Sequence, residues 1–166
     1  FKSFCKTPTS TEQVNYVFLF IFLVHLIFMN ETFITSSITK FLKKNNFYII
    51  QSIHPGGQGG LNYKVNNKPI YPDILAFKGE VFIIGENKPS YSESDHRKLN
   101  TLMQSKEVNP KSQFIKNKYC ESKNIISGKI LKIEFFLGFE ESTWLPTDSI
   151  NFYHVNKNEN VKILQS

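Results

Sequence analysis

The sequence has few cysteines and almost no arginine or alanine. Its 166 residues include two cysteines, one tryptophan, a single arginine (Arg97) and a single alanine (Ala76). Cys5 and Cys120 are far apart and match neither the spacing of a cysteine metal site nor that of a redox pair. We therefore predict two free thiols in a reducing compartment and a cytoplasmic protein. No internal repeat is present, which excludes repeat arrays.

The composition also excludes a wholly disordered chain, since 40% of the residues are hydrophobic and 20% are charged. The length predicts one domain. The formal charge of +6 comes from 20 basic and 14 acidic residues. All but one of the basic residues are lysine, and phenylalanine, isoleucine and asparagine are also abundant, as AT-rich codon usage produces. The positive charge is compatible with a polyanionic partner but does not establish one.

The first part of the chain differs from the rest. Residues 14–28 are apolar except for Asn15 and His25, but the run is shorter than the 18 or so apolar residues typical of a membrane span. It is compatible with a short membrane anchor, a buried helix or strand, or upstream sequence that precedes a start at Met29. We favour the third interpretation, which predicts an apolar leader over residues 1–28, a single domain over residues 29–166 and no membrane association.

Hydrophobic periodicity predicts alternating helices and strands. The predicted order is helix, strands, helix and strand, followed by a β-rich tail. Helices are predicted at residues 31–45 and 94–106, and strands at 47–54, 61–70, 74–77, 81–84, 129–139, 150–155 and 161–164. Within the partly polar strand at 61–70, Asn66-Asn67 predicts a turn. A glycine-rich loop is predicted at 55–60, while the polar residues 111–123 remain unassigned.

The strands around Gly79 predict a hairpin with a defined register. If Gly79 and Glu80 form the turn, the same register places Asp73 opposite Glu86. Side chains alternate along a strand, so Lys88 projects from the same face as Glu86. Facing residues have Cβ atoms about 4.5–5.5 Å apart, where two carboxylates repel each other. A divalent cation would relieve this repulsion.

Carboxylate and water oxygens suit Mg²⁺ or Mn²⁺ rather than zinc. We predict Asp73 and Glu86 as ligands, with the carbonyl of Asn87 as a further ligand. The ammonium of Lys88 would orient the attacking water, help to deprotonate it and stabilise charge on a phosphate. These groups are suited to metal-assisted hydrolysis of a phosphodiester.

The residues Pro72-Asp73 and Glu86-Asn87-Lys88 resemble the PD-(D/E)xK motif of the restriction-endonuclease-like nucleases. The layout is also similar to that of archaeal-type Holliday junction resolvases. The resemblance implies an α/β fold with a mixed central sheet whose core is a helix, a three-stranded meander, a helix and a strand. It implies metal-ligating roles for Asp73 and Glu86, a water-positioning role for Lys88, and Glu31 as a further site residue. It also implies DNA as substrate and a possible homodimer, with no small-molecule cofactor.

Two further groups of residues are candidates for nucleic-acid contacts. Gln58 and Lys64 lie in and after the glycine-rich loop, which could approach a nucleic-acid backbone closely. His96, Arg97 and Lys98 lie at the start of the second predicted helix, where they could hold phosphates. The alternatives are a flexible connection for the loop and a solvated helical face for the three basic residues.

The sequence thus predicts a Mg²⁺-dependent endodeoxyribonuclease of restriction, repair or junction type. One alternative is a nucleic-acid-binding module that has the same fold but no catalytic activity. Another is a membrane-anchored protein of unknown activity.

Overall fold

A mixed six-stranded sheet organises the chain. The computed structural model describes residues 31–57, 59–140 and 150–164, and the predicted leader at residues 1–28 lies outside them. The helices are α1 (residues 31–44), α2 (Glu93–Met103) and α3 (Val108–Lys123), and the strands are β1 (Tyr48–Ser52), β2 (Tyr63–Val65), β3 (Lys68–Ile70), β4 (Ile74–Lys78), β5 (Val81–Asn87), β6 (Lys132–Glu140), β7 (Asn151–Val155) and β8 (Val161–Leu164). Within the described ranges, no helix has the length and apolarity needed to span a membrane.

The strand order in the large sheet is β1-β4-β5-β6-β7-β8. Strands β1, β4 and β5 form an antiparallel meander, β6 is parallel to β5, β7 is parallel to β6, and β8 is antiparallel to β7. The parallel β5–β6 pair needs a long crossover, which α2 and α3 provide. The predictions of an α/β fold with a mixed sheet and a β-rich C-terminal part are confirmed.

The sheet has a hydrophobic core on each face. Helix α1 packs on one face through Ile34, Ile38 and Leu42. Helices α2 and α3 and strand β2 pack on the other, where the buried residues include Leu99 and Tyr63. Successive residues of β5 alternate between the two cores, as expected for a central strand buried on both sides.

Residues 61–70 form a short hairpin outside the large sheet, and the turn predicted at Asn66-Asn67 is confirmed. Strands β2 and β3 pair only with each other, and Asn66 and Asn67 connect them with φ values of 51° and 61°. Two consecutive residues with positive φ are typical of the tight turn whose twist suits a hairpin, and asparagine tolerates this conformation. The Tyr63 hydroxyl anchors the hairpin to α3 through a hydrogen bond of 2.8 Å with Ser112 Oγ.

The unassigned residues 111–123 belong to α3. The helix is difficult to recognise because its buried face includes a lysine. The Lys116 side chain is almost completely buried, and its ammonium donates hydrogen bonds to the carbonyls of Gly79 at 2.6 Å and Gly128 at 2.9 Å. A lysine at an inward position hides the helical period of apolar residues on which sequence prediction depends.

Candidate functional site

The β4–β5 hairpin has the predicted register. Lys78 pairs with Val81 and Ile74 pairs with Gly85. Asp73 immediately precedes β4, and Glu86 is the residue after Gly85, so the two carboxylates lie at the same end of the hairpin. Both continue the series of residues on the α2–α3 face of the sheet, because side chains alternate along each strand.

Asp73 is tied to both neighbouring strands. Its carboxylate Oδ2 accepts a hydrogen bond of 2.8 Å from the backbone N–H of Asn87, and its carbonyl accepts one of 2.9 Å from Ile53. Burial raises the pKa of Asp73, although the Asn87 hydrogen bond and the charges of Lys88 and Lys98 act in the opposite direction. The carboxylate is therefore held in place, with its charged form partly desolvated.

Glu86 is the most deeply buried carboxyl group of the site, at 1% exposure. The ammonium of Lys98, on α2, lies 2.6 Å from its Oε1 and also donates a hydrogen bond of 3.0 Å to the carbonyl of Tyr71. Burial and the neighbouring charge of Asp73 nevertheless raise the pKa of Glu86 to about 8. Ionisation of Glu86 therefore destabilises the folded protein unless additional positive charge lies next to the two carboxylates.

Lys88 follows the last residue of β5 and forms an ion pair of 3.1 Å with Glu31 at the start of α1. Burial alone would lower the pKa of Lys88, but the hydrogen bond to Glu31 and the charges of Glu31 and Asp73 together raise it. Lys88 is therefore an ammonium at neutral pH, suited to donating hydrogen bonds rather than accepting a proton. The structure thus brings Glu31, Asp73, Glu86 and Lys88 to one region.

Asn87 connects β5 to α1 beneath this region. Its side chain is fully buried, and Nδ2 donates a hydrogen bond of 3.2 Å to Thr35 Oγ1. Among the described residues, no group donates a hydrogen bond to its Oδ1. The Asn87 side chain therefore contacts α1 in the interior of the protein. The role of the Asn87 carbonyl as a metal ligand stays a prediction.

The residues predicted to contact nucleic acid do not form a single group. Gln58 lies outside the described residues, and Lys64 is exposed on β2. The Arg97 side chain is exposed and pairs with Glu93 at 3.2 Å. His96 is only 8% exposed and packs among aromatic rings on the inner side of α2. This burial argues against direct contact between the His96 imidazole and a phosphate.

The pairing of Lys98 with Glu86 is missed by sequence reasoning, which treats Lys98 as part of a solvated face or as a phosphate contact. A signal is nevertheless present in the sequence. Lys98 lies next to Leu99 and one turn before Leu102, both completely buried, so a helix that places these leucines inward directs residue 98 toward the sheet.

Asp73 and Glu86 could hold Mg²⁺ or Mn²⁺ only as a site with two carboxylate ligands. Over the residues with described positions, no group of three or more histidine, cysteine, aspartate or glutamate side chains could hold a metal ion. Asp73 and Glu86 share one face at one strand end, and Mg²⁺ is often bound by one or two carboxylates, with waters and substrate phosphates completing the shell. Glu31 contacts Lys88 and is not part of such a donor group.

The comparisons with known proteins identify no relative. No family model, curated protein or solved structure matches the chain.

Proposed function

We propose that the protein is a Mg²⁺-dependent endodeoxyribonuclease whose site is formed by Asp73, Glu86 and Lys88. The observation that carries the proposal is the register of the β4–β5 hairpin, which puts the two carboxylates at one strand end and Lys88 two residues beyond Glu86. The motif and the element order support a restriction-endonuclease-like core: α1, the meander of β1, β4 and β5, then α2 with α3, and β6.

The residues divide the chemistry among them. Bound at Asp73 and Glu86, Mg²⁺ would supply Lewis-acid activation of water and neutralise charge on the phosphate. The Lys88 ammonium donates a hydrogen bond to the attacking water or to a phosphate oxygen and stabilises the negative charge that develops there. Glu31 holds Lys88 in position through their ion pair, so we treat it as a positioning residue.

Lys98 has a second role in this scheme. In the protein without metal, its ammonium supplies the positive charge next to Glu86. A divalent cation at the two carboxylates would take over this charge balance. Lys98 would then be available to a phosphate oxygen on the same side of the site.

The proposal is tested by nicking of supercoiled plasmid DNA in the presence of Mg²⁺. We expect Asp73→Asn and Lys88→Met each to reduce the cleavage rate at least about 100-fold, a loss typical of removing a charged group that stabilises the transition state. Matched controls are Glu121→Gln and Lys118→Met, which remove the partners of an exposed ion pair on α3. We expect both controls to cleave at the wild-type rate.

The competing function is a catalytically inactive nucleic-acid-binding module. The contacts of Glu86 with Lys98 and of Glu31 with Lys88 favour it, because each places an ammonium group beside a carboxyl group without any metal. A wild-type protein that binds DNA but never cleaves it in Mg²⁺ or Mn²⁺ would establish the binding module. Metal-dependent nicking that persists in both Asp73→Asn and Lys88→Met would show that the site is wrong.

A further inference from the structure

The β2–β3 hairpin and the turn between α2 and α3 form a groove with a basic lining. The groove consists of two neighbouring pockets, and Glu107 lines both of them. Lys64 of β2 and Lys111 of α3 line one pocket, and Lys106 of the α2–α3 turn lines the other. All three lysines are exposed, and within the described ranges none of their ammonium groups pairs with a carboxylate.

The groove is preformed because its two walls are fixed to each other. Tyr63 is 1% exposed and its hydroxyl is hydrogen-bonded to Ser112, so β2 is held against α3. A rigid groove loses little conformational entropy when a ligand occupies it.

The groove is also close to the proposed site. Strand β3 ends at Ile70, three residues before Asp73, a separation of about 10 Å at most. Along α2, Gln104 in the groove follows Lys98 at the site by six residues, which corresponds to about 9 Å of helix. This distance equals the rise of about three base pairs of duplex DNA.

We propose that this groove, defined by Lys64, Lys106 and Lys111, holds the phosphate backbone of duplex DNA on one side of the scissile phosphate. The inference rests on the proposed function, because it assigns the path of the DNA that the site would cleave. Lysine contacts with phosphates are independent of sequence and fix the position of the duplex. Among the residues that line the two pockets, Glu107 is the one acidic residue, and its negative charge weakens the attraction between the lysines and the phosphates.

The test is the salt dependence of duplex DNA binding in EDTA, where the DNA remains intact. We expect the triple variant Lys64→Gln, Lys106→Gln, Lys111→Gln to reduce the slope of log affinity against log salt concentration by about 2–3, and the affinity at least about tenfold at 0.1 M salt. The matched control removes three exposed lysines on or beside the opposite face of the sheet: Lys43→Gln, Lys44→Gln and Lys78→Gln.

Two further variants separate a lost contact from a damaged fold. Replacement of the three groove lysines by arginine should preserve the wild-type slope, because the charge remains. Glu107→Gln should strengthen DNA binding about two- to fivefold, and misfolding cannot produce such a gain. The substitution should leave α3 intact, because the Glu107 side chain makes no capping hydrogen bond to this helix.

The inference is overturned if the slope of log affinity against log salt concentration falls by the same amount in the groove variant and the control variant, or if it falls in neither. This holds whether or not the wild-type protein cleaves plasmid. A wild-type protein with no affinity for duplex DNA would also overturn it. Groove-dependent binding without Mg²⁺-dependent cleavage would support the groove and reject the nuclease activity.

Discussion

Because the pKa of the buried Glu86 carboxyl group is raised, we expect the folded protein to lose stability as the pH rises. Its carboxyl has a pKa of about 8 in the folded protein, against an ordinary value of 4.5. The folded state therefore holds this proton more tightly than the unfolded chain. The resulting stabilisation is fully present below about pH 4.5 and is lost as the pH rises through about 8.

The magnitude follows from the linkage between protonation and folding. The full loss for this group is about 3–5 kcal/mol, of which about 3 kcal/mol falls between pH 6 and pH 9. Glu86→Gln keeps the size of the side chain and removes its ionisation. We therefore expect the free energy of unfolding of the variant, minus that of the wild type, to increase by about 2–3 kcal/mol from pH 6 to pH 9.

The assay is urea denaturation followed by far-UV circular dichroism at several pH values in this interval. Taking the difference between variant and wild type cancels the contributions that the two proteins share. Glu121→Gln, at an exposed glutamate of α3, should give a difference that does not change with pH. A constant difference for Glu86→Gln would refute the reasoning, because it would mean that Glu86 is already ionised at pH 6.

Two other substitutions test the packing around the site and the groove. Gly85→Ala would put a Cβ 2.0 Å from the ring of Phe136, so we expect a loss of about 2–3 kcal/mol in thermal unfolding, whereas Gly128→Ala, with no atom within 4 Å, should change stability by less than about 1 kcal/mol. Tyr63→Phe should cost about 1 kcal/mol through the lost hydrogen bond, and a double-mutant cycle with Ser112→Ala should assign most of that cost to the pair.

The hairpin that carries the carboxylates could be predicted because its register depends on local information. A glycine at the first turn position fixes which residues face each other, and a shift by one residue would turn every buried side chain to the wrong face. Gly79 has a φ of +56°, as such a turn requires. The alignment of Asp73 with Glu86 follows directly.

Features that depend on packing between distant elements could not be predicted in the same way. The period of α3 is hidden by Lys116, whose buried ammonium donates hydrogen bonds to the carbonyls of Gly79, in the β4–β5 turn, and Gly128, in the loop before β6. The contact of Lys98 with Glu86 depends on how α2 crosses the sheet. The β2–β3 hairpin packs against α3 through Tyr63, whose hydrogen-bond partner Ser112 is 49 residues away in sequence.

The most direct test of the proposed site is a crystal structure of the protein with Mn²⁺. We expect an anomalous peak bound by Asp73 and Glu86, about 2.1 Å from an oxygen of each carboxylate, as is typical of oxygen ligands around Mg²⁺. We also expect the Lys98 ammonium to move away from Glu86. Unchanged carboxylates, with Lys98 still paired to Glu86 and no peak between Asp73 and Glu86 at saturating Mn²⁺, would show that the two carboxylates do not form a metal site.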